Sequence, residues 1–303
     1  MNLPIISVIT ATYNSTHYLD YAIRSVLQSD FDEWELIVIG DHCTDGTESC
    51  VASFNDPRIS FENLQENSGQ QAKPNNVGMA RARGEYLCFL NHDDMFMPSH
   101  LNAMLIEMAR TKADILCARY AVIDSFDLAN PPDRIPARNG GADPTNSGYD
   151  PTRFYVASSW FMRRQTAIKV GPWRMESETY VTPSQDWLFR AARSGNRILC
   201  TEKISVVALY SGERKDSYRR KLGDEHGYIF GKMQEPDFVE NIERSIAETE
   251  ARASISLVGH LRSLYRFLVR PLSHLGIHPN TPQHLFRYGG KGGFVRKLKQ
   301  KTG

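Results

Sequence analysis

The sequence predicts an α/β protein: a mostly parallel sheet flanked by helices, followed by a helical, basic C-terminal extension. Three observations carry this. Short apolar runs at residues 5–9, 36–39, 86–90 and 115–118 have strand length and are bounded by turn residues. Helical periodicity fills the spaces between them, and strands that alternate with helices form parallel sheets covered on both faces. Charge divides the chain: residues 252–303 hold ten Lys or Arg and no acid, while residues 1–251 hold 26 basic and 35 acidic residues, a net −9.

The first run, IISVI, reads as a strand, not a signal peptide, because it lacks a basic leader and a small-residue cleavage site. A polar cap at residues 14–16 then opens a helix with Leu19, Ala22, Ile23, Val26 and Leu27 on one face. LIVI (36–39) and YLCFL (86–90) are the next strands. Leu101, Met104, Leu105 and Met108 repeat at helical spacing after Pro98 and Ser99. ILCA (115–118) follows as a fourth strand.

Residues 124–151, DSFDLANPPDRIPARNGGADPTNSGYDP, have no sustained period and read as a functional lid or a disordered insertion. A helix from Ser184 places Trp187, Leu188 and Ala191 on one face, and two short strands, 197–201 and 204–209, follow. Beyond Arg214 the pattern turns helical, with Ile242, Ile246, Leu257, Leu261, Leu264 and Leu268 in a stripe that ends at Pro271. The reading is a catalytic domain at 1–213 and an extension at 214–303.

Hydrophobic content of 41% with 23% charged is ordinary for a globular protein, and no run of 18 apolar residues suggests a spanning helix. Five cysteines without metal-ligand spacing fit a reducing, cytoplasmic compartment.

Ligands in such sheets bind at the carboxyl ends of the strands. Three acidic positions fall there or at a helix start: Asp41 after the second strand, Asp93 and Asp94 after the third, and Asp186 in the Ser184 helix. Singly, each reads as a cap or a solvated turn. Together they fit chemistry that needs a metal and a base. A leaving diphosphate calls for Mn²⁺ or Mg²⁺, held by few carboxylates plus phosphate oxygens and water. A separate carboxylate takes the proton from an attacking hydroxyl.

At these residues the chain resembles the family-2 glycosyltransferases of the inverting GT-A type, over roughly residues 5–210. SVITATYNSTHYLDYAIRSVL resembles the family's first strand, turn and helix, and VIGDHCTDGT its VDDGSTDGT motif. ENSGQQAKPNNVGMARARGEYLCFLNHDD resembles the run ending in the DxD-like motif, and SQDWLFRAARSG the helix of the catalytic Asp. The resemblance implies a nucleotide-diphosphate sugar as donor, a UDP-sugar first, and a divalent metal. It implies that Tyr13 stacks on the base, Asp41 hydrogen-bonds it, and Ala11 and Thr12 offer backbone contacts. Asp93 binds the metal, Asn91 lies near the ribose or a coordinated water, and Asp186 is the general base. His92 reads either as lining the same site or as a solvent-facing loop histidine, and Arg214 with Lys215 either as closing on the diphosphate, where such enzymes often do so, or as a solvated charge cluster. Trp160 and Trp173 read either as acceptor-stacking residues or as core.

Three positions depart from the pattern: Gly40 for the first of two acids, Asn91 for the first Asp of the DxD-like motif, and Gln185 for the usual Glu. They motivate the alternative of a non-catalytic sugar-nucleotide-binding or scaffold protein with a decayed site. ATYNST after the first strand excludes both a Gly-rich phosphate loop and G-x-G-x-x-G.

In the tail, Leu257, Leu261, Leu264 and Leu268 share a face, with Arg262, Arg266 and Arg270 as a neighbouring basic stripe. Lys291, Arg296, Lys297, Lys299 and Lys301 add charge. Two readings fit: peripheral association with an anionic inner membrane face, or packing of the leucines on the catalytic domain. The first suits a lipid-linked carbohydrate acceptor in envelope or surface polysaccharide synthesis. Nothing in the motifs calls for nucleic acid.

Overall fold

The computed structural model describes residues 3–141, 148–209, 223–254 and 256–293. The N-terminal half alternates as expected. β1 (Ile6–Thr12), α1 (Thr16–Leu27), β2 (Trp34–Gly40), α2 (Thr47–Ser53), β3 (Ile59–Asn63), α3 (Ala72–Arg81) and β4 (Tyr86–Phe89) follow in turn. Their strands lie in the order β3-β2-β1-β4, all parallel. Apolar side chains of β1 and β2 point to both faces because both are covered. Leu19, Ile23 and Val26 of α1 pack on one side with Val8 and Leu36, while Ile9 and Ile39 join the opposite core with Ala72 of α3. Gly78 is required in α3, since a Cβ there would sit 2.4 Å from the Ile9 side chain.

The second half is where the parallel pattern stops. β5 (Asp94–Phe96), α4 (His100–Thr111), β6 (Ile115–Ile123), β7 (Ala137–Gly140), β8 (Trp160–Arg163), α5 (Arg164–Val170), α6 (Pro183–Arg193) and β9 (Ile198–Leu209) complete the nine-stranded sheet. β8 lies antiparallel between β4 and β6, and β7 and β5 add antiparallel partners at β6 and β9. The sheet is therefore mixed, parallel through its first four strands and in the β6–β9 pair.

Two local expectations are corrected. The strands anticipated at 197–201 and 204–209 are one strand, β9. The polar Glu202 and Lys203 belong to a bulge against β6, where the register jumps from Cys117↔Cys200 to Arg119↔Ile204. The 124–151 segment is not without structure. Its β7 pairs with β6, Arg138 grips Asp124 at 2.6 Å, and Ala137 N–H donates to Ser245 Oγ. Residues 142–147, at its centre, lie outside the described residues.

The C-terminal part is helical: α7 (Gly223–Lys232), α8 (Phe238–Ser254), α9 (Leu257–Val269) and α10 (Thr281–Tyr288). Ile229, Phe238, Ile242 and Ile246 bury against Met95, Ile123 and Val207 of the sheet. α7 and α8 thus share a core with β5, β6 and β9. The anticipated division at 213/214 falls outside the described residues. No described helix is long and apolar enough to cross a membrane.

Two imidazoles are buried neutral. His100, with Nδ1 2.9 Å from Ser205 Oγ, and His278, against Phe189, are both pushed by burial from 6.5 to about 3; His284 adds to the effect at His278. Unfolded histidine binds protons below about 6.5, whereas these folded ones do not until about 3. Stability should be full above that window and fall within it as the pH drops, by up to ~1.4 kcal/mol per pH unit for each ring. Urea midpoints measured from neutral pH downward check this. A flat profile would contradict neutral burial.

Candidate active site

Because β2, β1 and β4 are parallel neighbours, their carboxyl ends form one rim, and short backbone contacts hold it together. Asp41 N–H donates to Thr12 O at 2.8 Å, and Leu90 N–H donates to Ile9 O at 2.8 Å. His92 Nδ1 lies 3.2 Å from Ala11 O. A carbonyl only accepts, so Nδ1 carries the proton and the buried, unpartnered Nε2 keeps a lone pair. Ala11, Thr12, Tyr13, Asp41, Asn91, His92 and Asp93 therefore meet on one edge. The carbonyls of Ala11 and Thr12 accept from His92 and Asp41.

The turn after β1 is stitched to the turn after β2. Asn14, at φ 45°, accepts from Thr44 N–H at 2.8 Å, and Thr16 Oγ1 donates to Asp45 at 2.7 Å. Tyr13, in the first of these turns, is 49% exposed, as an aromatic side chain that stacks on a ligand must be. His42 adopts φ 63°, the left-handed conformation for which glycine is the default.

Asp41 is buried, and its carboxylate is occupied. Oδ1 accepts from Ser68 N–H and Ser68 Oγ at 2.9 Å each, and Oδ2 accepts from Gly69 N–H at 2.9 Å. It anchors the loop before α3; a nucleobase N–H reaches it only by sharing these lone pairs. Gly40 stands beside the Asn63 side chain, and a Cβ there would come within 2.6 Å of Asn63 Oδ1. Asn63 spans the turn by accepting from Cys43 N–H at 2.7 Å and donating to Cys43 O at 2.8 Å. A side chain at 40 would collide with that brace.

The β4 end holds the acids. Asp94 is buried and receives Ser158 Oγ and, at 3.0 Å, the Asn91 side-chain amide. Burial first, then the neighbouring Asp93 carboxylate, pushes the Asp94 carboxyl well above the usual range. Asn91 thus does what an Asp could not, donating to a buried carboxyl. Asn91→Asp should cost about 1–3 kcal/mol, by removing that donor and setting a second charge against Asp94. Denaturant midpoints of the two proteins test this; equal stability would remove the explanation for Asn91.

Asp93 faces outward. Its carbonyl accepts from His226 Nε2 at 3.0 Å, while its half-exposed carboxylate takes no hydrogen bond or ion pair among the described residues. No three His, Cys, Asp or Glu side chains converge as a metal cage among those residues. Mn²⁺ or Mg²⁺ bound chiefly through substrate phosphates and water needs none. One available carboxylate fits such an ion.

Asp186 comes from a different element. α6 begins with Pro183 at its first position and a capping box in which Thr182 and Gln185 satisfy each other's backbone N–H groups. Gln serves this as well as Glu, which accounts for Gln185. Asp186 lies in the first turn, where the helix dipole favours an acid. Arg190 Nε donates to its Oδ2 at 2.9 Å, and Arg174 approaches Oδ1 at 3.5 Å. Arg190 is fixed in turn by Val170 O at 2.8 Å and Pro172 O at 2.7 Å. The loop before α6 is tied to α3 by the paired Asn76–Trp173 hydrogen bonds, at 2.8 and 2.9 Å.

Trp160 and Trp173 are not acceptor platforms. Both are buried and stack with each other and with Trp187, at 5.3–6.4 Å between rings. Arg214 and Lys215 lie outside the described residues. Ser158, Ser68, Asn63 and His226 support the rim and were not anticipated. Each comes from a distant segment; Ser68 falls within the ENSGQQ run, and the other three have no motif of their own.

The profile of "Glycosyl transferase family 2" matches residues 7–171. Among relatives, the Escherichia coli protein WfgD, named a UDP-Glc:α-D-GlcNAc-diphosphoundecaprenol β-1,3-glucosyltransferase, is 28% identical over 124 residues, 41% of this chain and 49% of its own length. The Staphylococcus aureus poly(ribitol-phosphate) β-N-acetylglucosaminyltransferase TarS is 37% identical over 91 residues, 29% of this chain and 16% of its own. The matches thus span less than half the length of these two relatives. TarS 1–349 with UDP-GlcNAc superposes with a TM-score of 0.56 at 18% identity, covering 94% of this chain and 92% of that one. The mannosyltransferase PcManGT of Pyrobaculum calidifontis, in complex with GDP-Man and Mn²⁺, gives 0.54 at 14%, covering 98% and 88%. With a GT-A sheet, four motifs in order along the sequence and a family profile over more than half its length, the chain belongs to glycosyl transferase family 2.

Proposed function

We propose that the chain is an inverting, metal-dependent glycosyltransferase that moves a sugar from a UDP-sugar to an acceptor hydroxyl in envelope or surface polysaccharide synthesis. The observation that carries this is the Asp93 carboxylate, without a partner among the described residues, on the same rim as the exposed Tyr13. Tyr13 stacks on the base, and the Asn91 and His92 segment lines the ribose and diphosphate. Asp41 shapes the base pocket by holding residues 68–69. Asp93 would hold Mn²⁺ or Mg²⁺, which when bound neutralises the diphosphate. Asp186, oriented by Arg190, takes the proton from the acceptor hydroxyl. Arg214 and Lys215 serve the diphosphate, and residues 124–151 border the acceptor. The donors named for WfgD and TarS support a UDP-sugar, and the Mn²⁺ complex of PcManGT supports the metal.

The alternative of a non-catalytic sugar-nucleotide-binding protein rested on Gly40, Asn91 and Gln185. Each has a local reason: the Asn63 brace, the Asp94 donor and the α6 cap. A thermal-shift panel of nucleotide sugars with and without Mn²⁺ tests the donor. A ligand at about 100 times its Kd adds ~2.7 kcal/mol. A response to UDP-sugars that requires Mn²⁺ is expected; stabilisation by none of them counts against the reading.

A further inference from the structure

The tail carries a large apolar surface that the fold leaves uncovered. Val269 is the one buried residue of α9. Leu257 is 75% exposed and Phe267 76%, and Leu261, Leu264 and Leu268 are each more than half exposed; on α10, Phe286 is 93% exposed. Packing of these leucines onto the catalytic domain, one of the two readings of the sequence, is therefore not what the structure contains. At ~100° per residue, the four leucines occupy an arc of about 60°, with Arg262 and Arg266 roughly 150° away. The basic stripe is thus farther round than adjacent, and the helix has an apolar side and a cationic side.

We propose that the leucine side of α9 lies in the headgroup region of an anionic membrane. A helix with one apolar and one basic face and no spanning length is suited to that position. Charge supports it, since residues 252–303 hold ten Lys or Arg and no acid. A second copy is a poorer occupant. Among the described residues, the exposed large hydrophobics before α9 (Leu3, Tyr13, Ile106, Phe154, Ile168, Tyr180) are scattered singly over different elements and offer no matching stripe.

The extension is anchored beside the candidate base. Arg270 pairs with Asp150 at 2.7 Å, His278 packs on Phe189 of α6 at 5.0 Å, and Lys291 lies over Tyr180 at 5.3 Å. Gly292 N–H donates to Thr179 O at 3.3 Å, just ahead of the turn that carries Asp186. Membrane contact through α9 therefore sets the Asp186 end of the molecule near the lipid surface, where a lipid-linked acceptor is presented. That consequence rests on the glycosyl-transfer reading; membrane binding itself does not.

The test is cosedimentation of the full chain with phosphatidylcholine vesicles, with and without phosphatidylglycerol, at low and high salt. The wild type should pellet with the anionic vesicles and be released by salt. Leu261→Glu with Leu264→Glu should weaken binding at least about tenfold, since each leucine loses its apolar burial. Both sites are exposed, so circular dichroism and UDP binding should not change. Arg262→Gln with Arg266→Gln should lower the dependence on phosphatidylglycerol. The proposal is overturned if the wild type stays in the supernatant at low salt. It is equally overturned if the leucine variant pellets as well as wild type, or if light scattering shows a dimer that this variant dissociates while vesicles bind neither protein.

Discussion

Asp93→Asn is expected to abolish Mn²⁺-stimulated UDP binding while leaving the protein folded. The carboxylate has no partner to lose among the described residues, and its removal takes a like charge away from the buried Asp94. Stability should therefore hold or rise slightly, the opposite of a structural acid. Residues that merely orient metal ligands cost about 10–100-fold in metal affinity when mutated, so a direct ligand should cost at least ~100-fold. Calorimetric titration of UDP with and without Mn²⁺, beside a thermal melt, separates the two roles. Unchanged Mn²⁺-dependent affinity would remove Asp93 from the metal site.

Asp186→Asn should have the second largest effect, on turnover and not on donor binding. A positioned base contributes about 10²–10⁴-fold, and the amide keeps the shape of the acid without its proton affinity. The fold should survive. Arg190 retains its hydrogen bonds to Val170 and Pro172, and the lost first-turn charge costs about 0.3–1 kcal/mol. If turnover falls less than about tenfold at unchanged KM for the donor, Asp186 is a helix-start acid held by Arg190 and not the base.

The legible parts of this protein were those with a local cause. β1, β2 and β4 and helices α1 and α4 follow from runs and periods within a dozen residues of themselves. β5, of three residues, and β8, WFMR, have no such signal; antiparallel pairing across the sheet defines them. The site divides the same way. Acids after strands marked the rim, and the family motifs gave each a role. The supports could not be read in advance. Asn63, Ser68, Ser158 and His226 reach the rim through tertiary contacts that no spacing encodes. Two signals were available and unused: Thr182 with Gln185 spells a capping box, and Arg190 stands four residues after Asp186 on one helix face. The departures at 40 and 91 looked like losses because the family pattern names the acid and not its surroundings.

UDP release tests the central claim most directly. The full chain would be mixed with Mn²⁺, UDP-glucose or UDP-N-acetylglucosamine, and bacterial membrane lipid extract as the source of acceptor. The account predicts release that requires Mn²⁺, rises with the extract and falls to background in Asp186→Asn. UDP that binds to the wild type, yet is released from no UDP-sugar above the Asp186→Asn background, would contradict it and leave a binding protein in place of an enzyme.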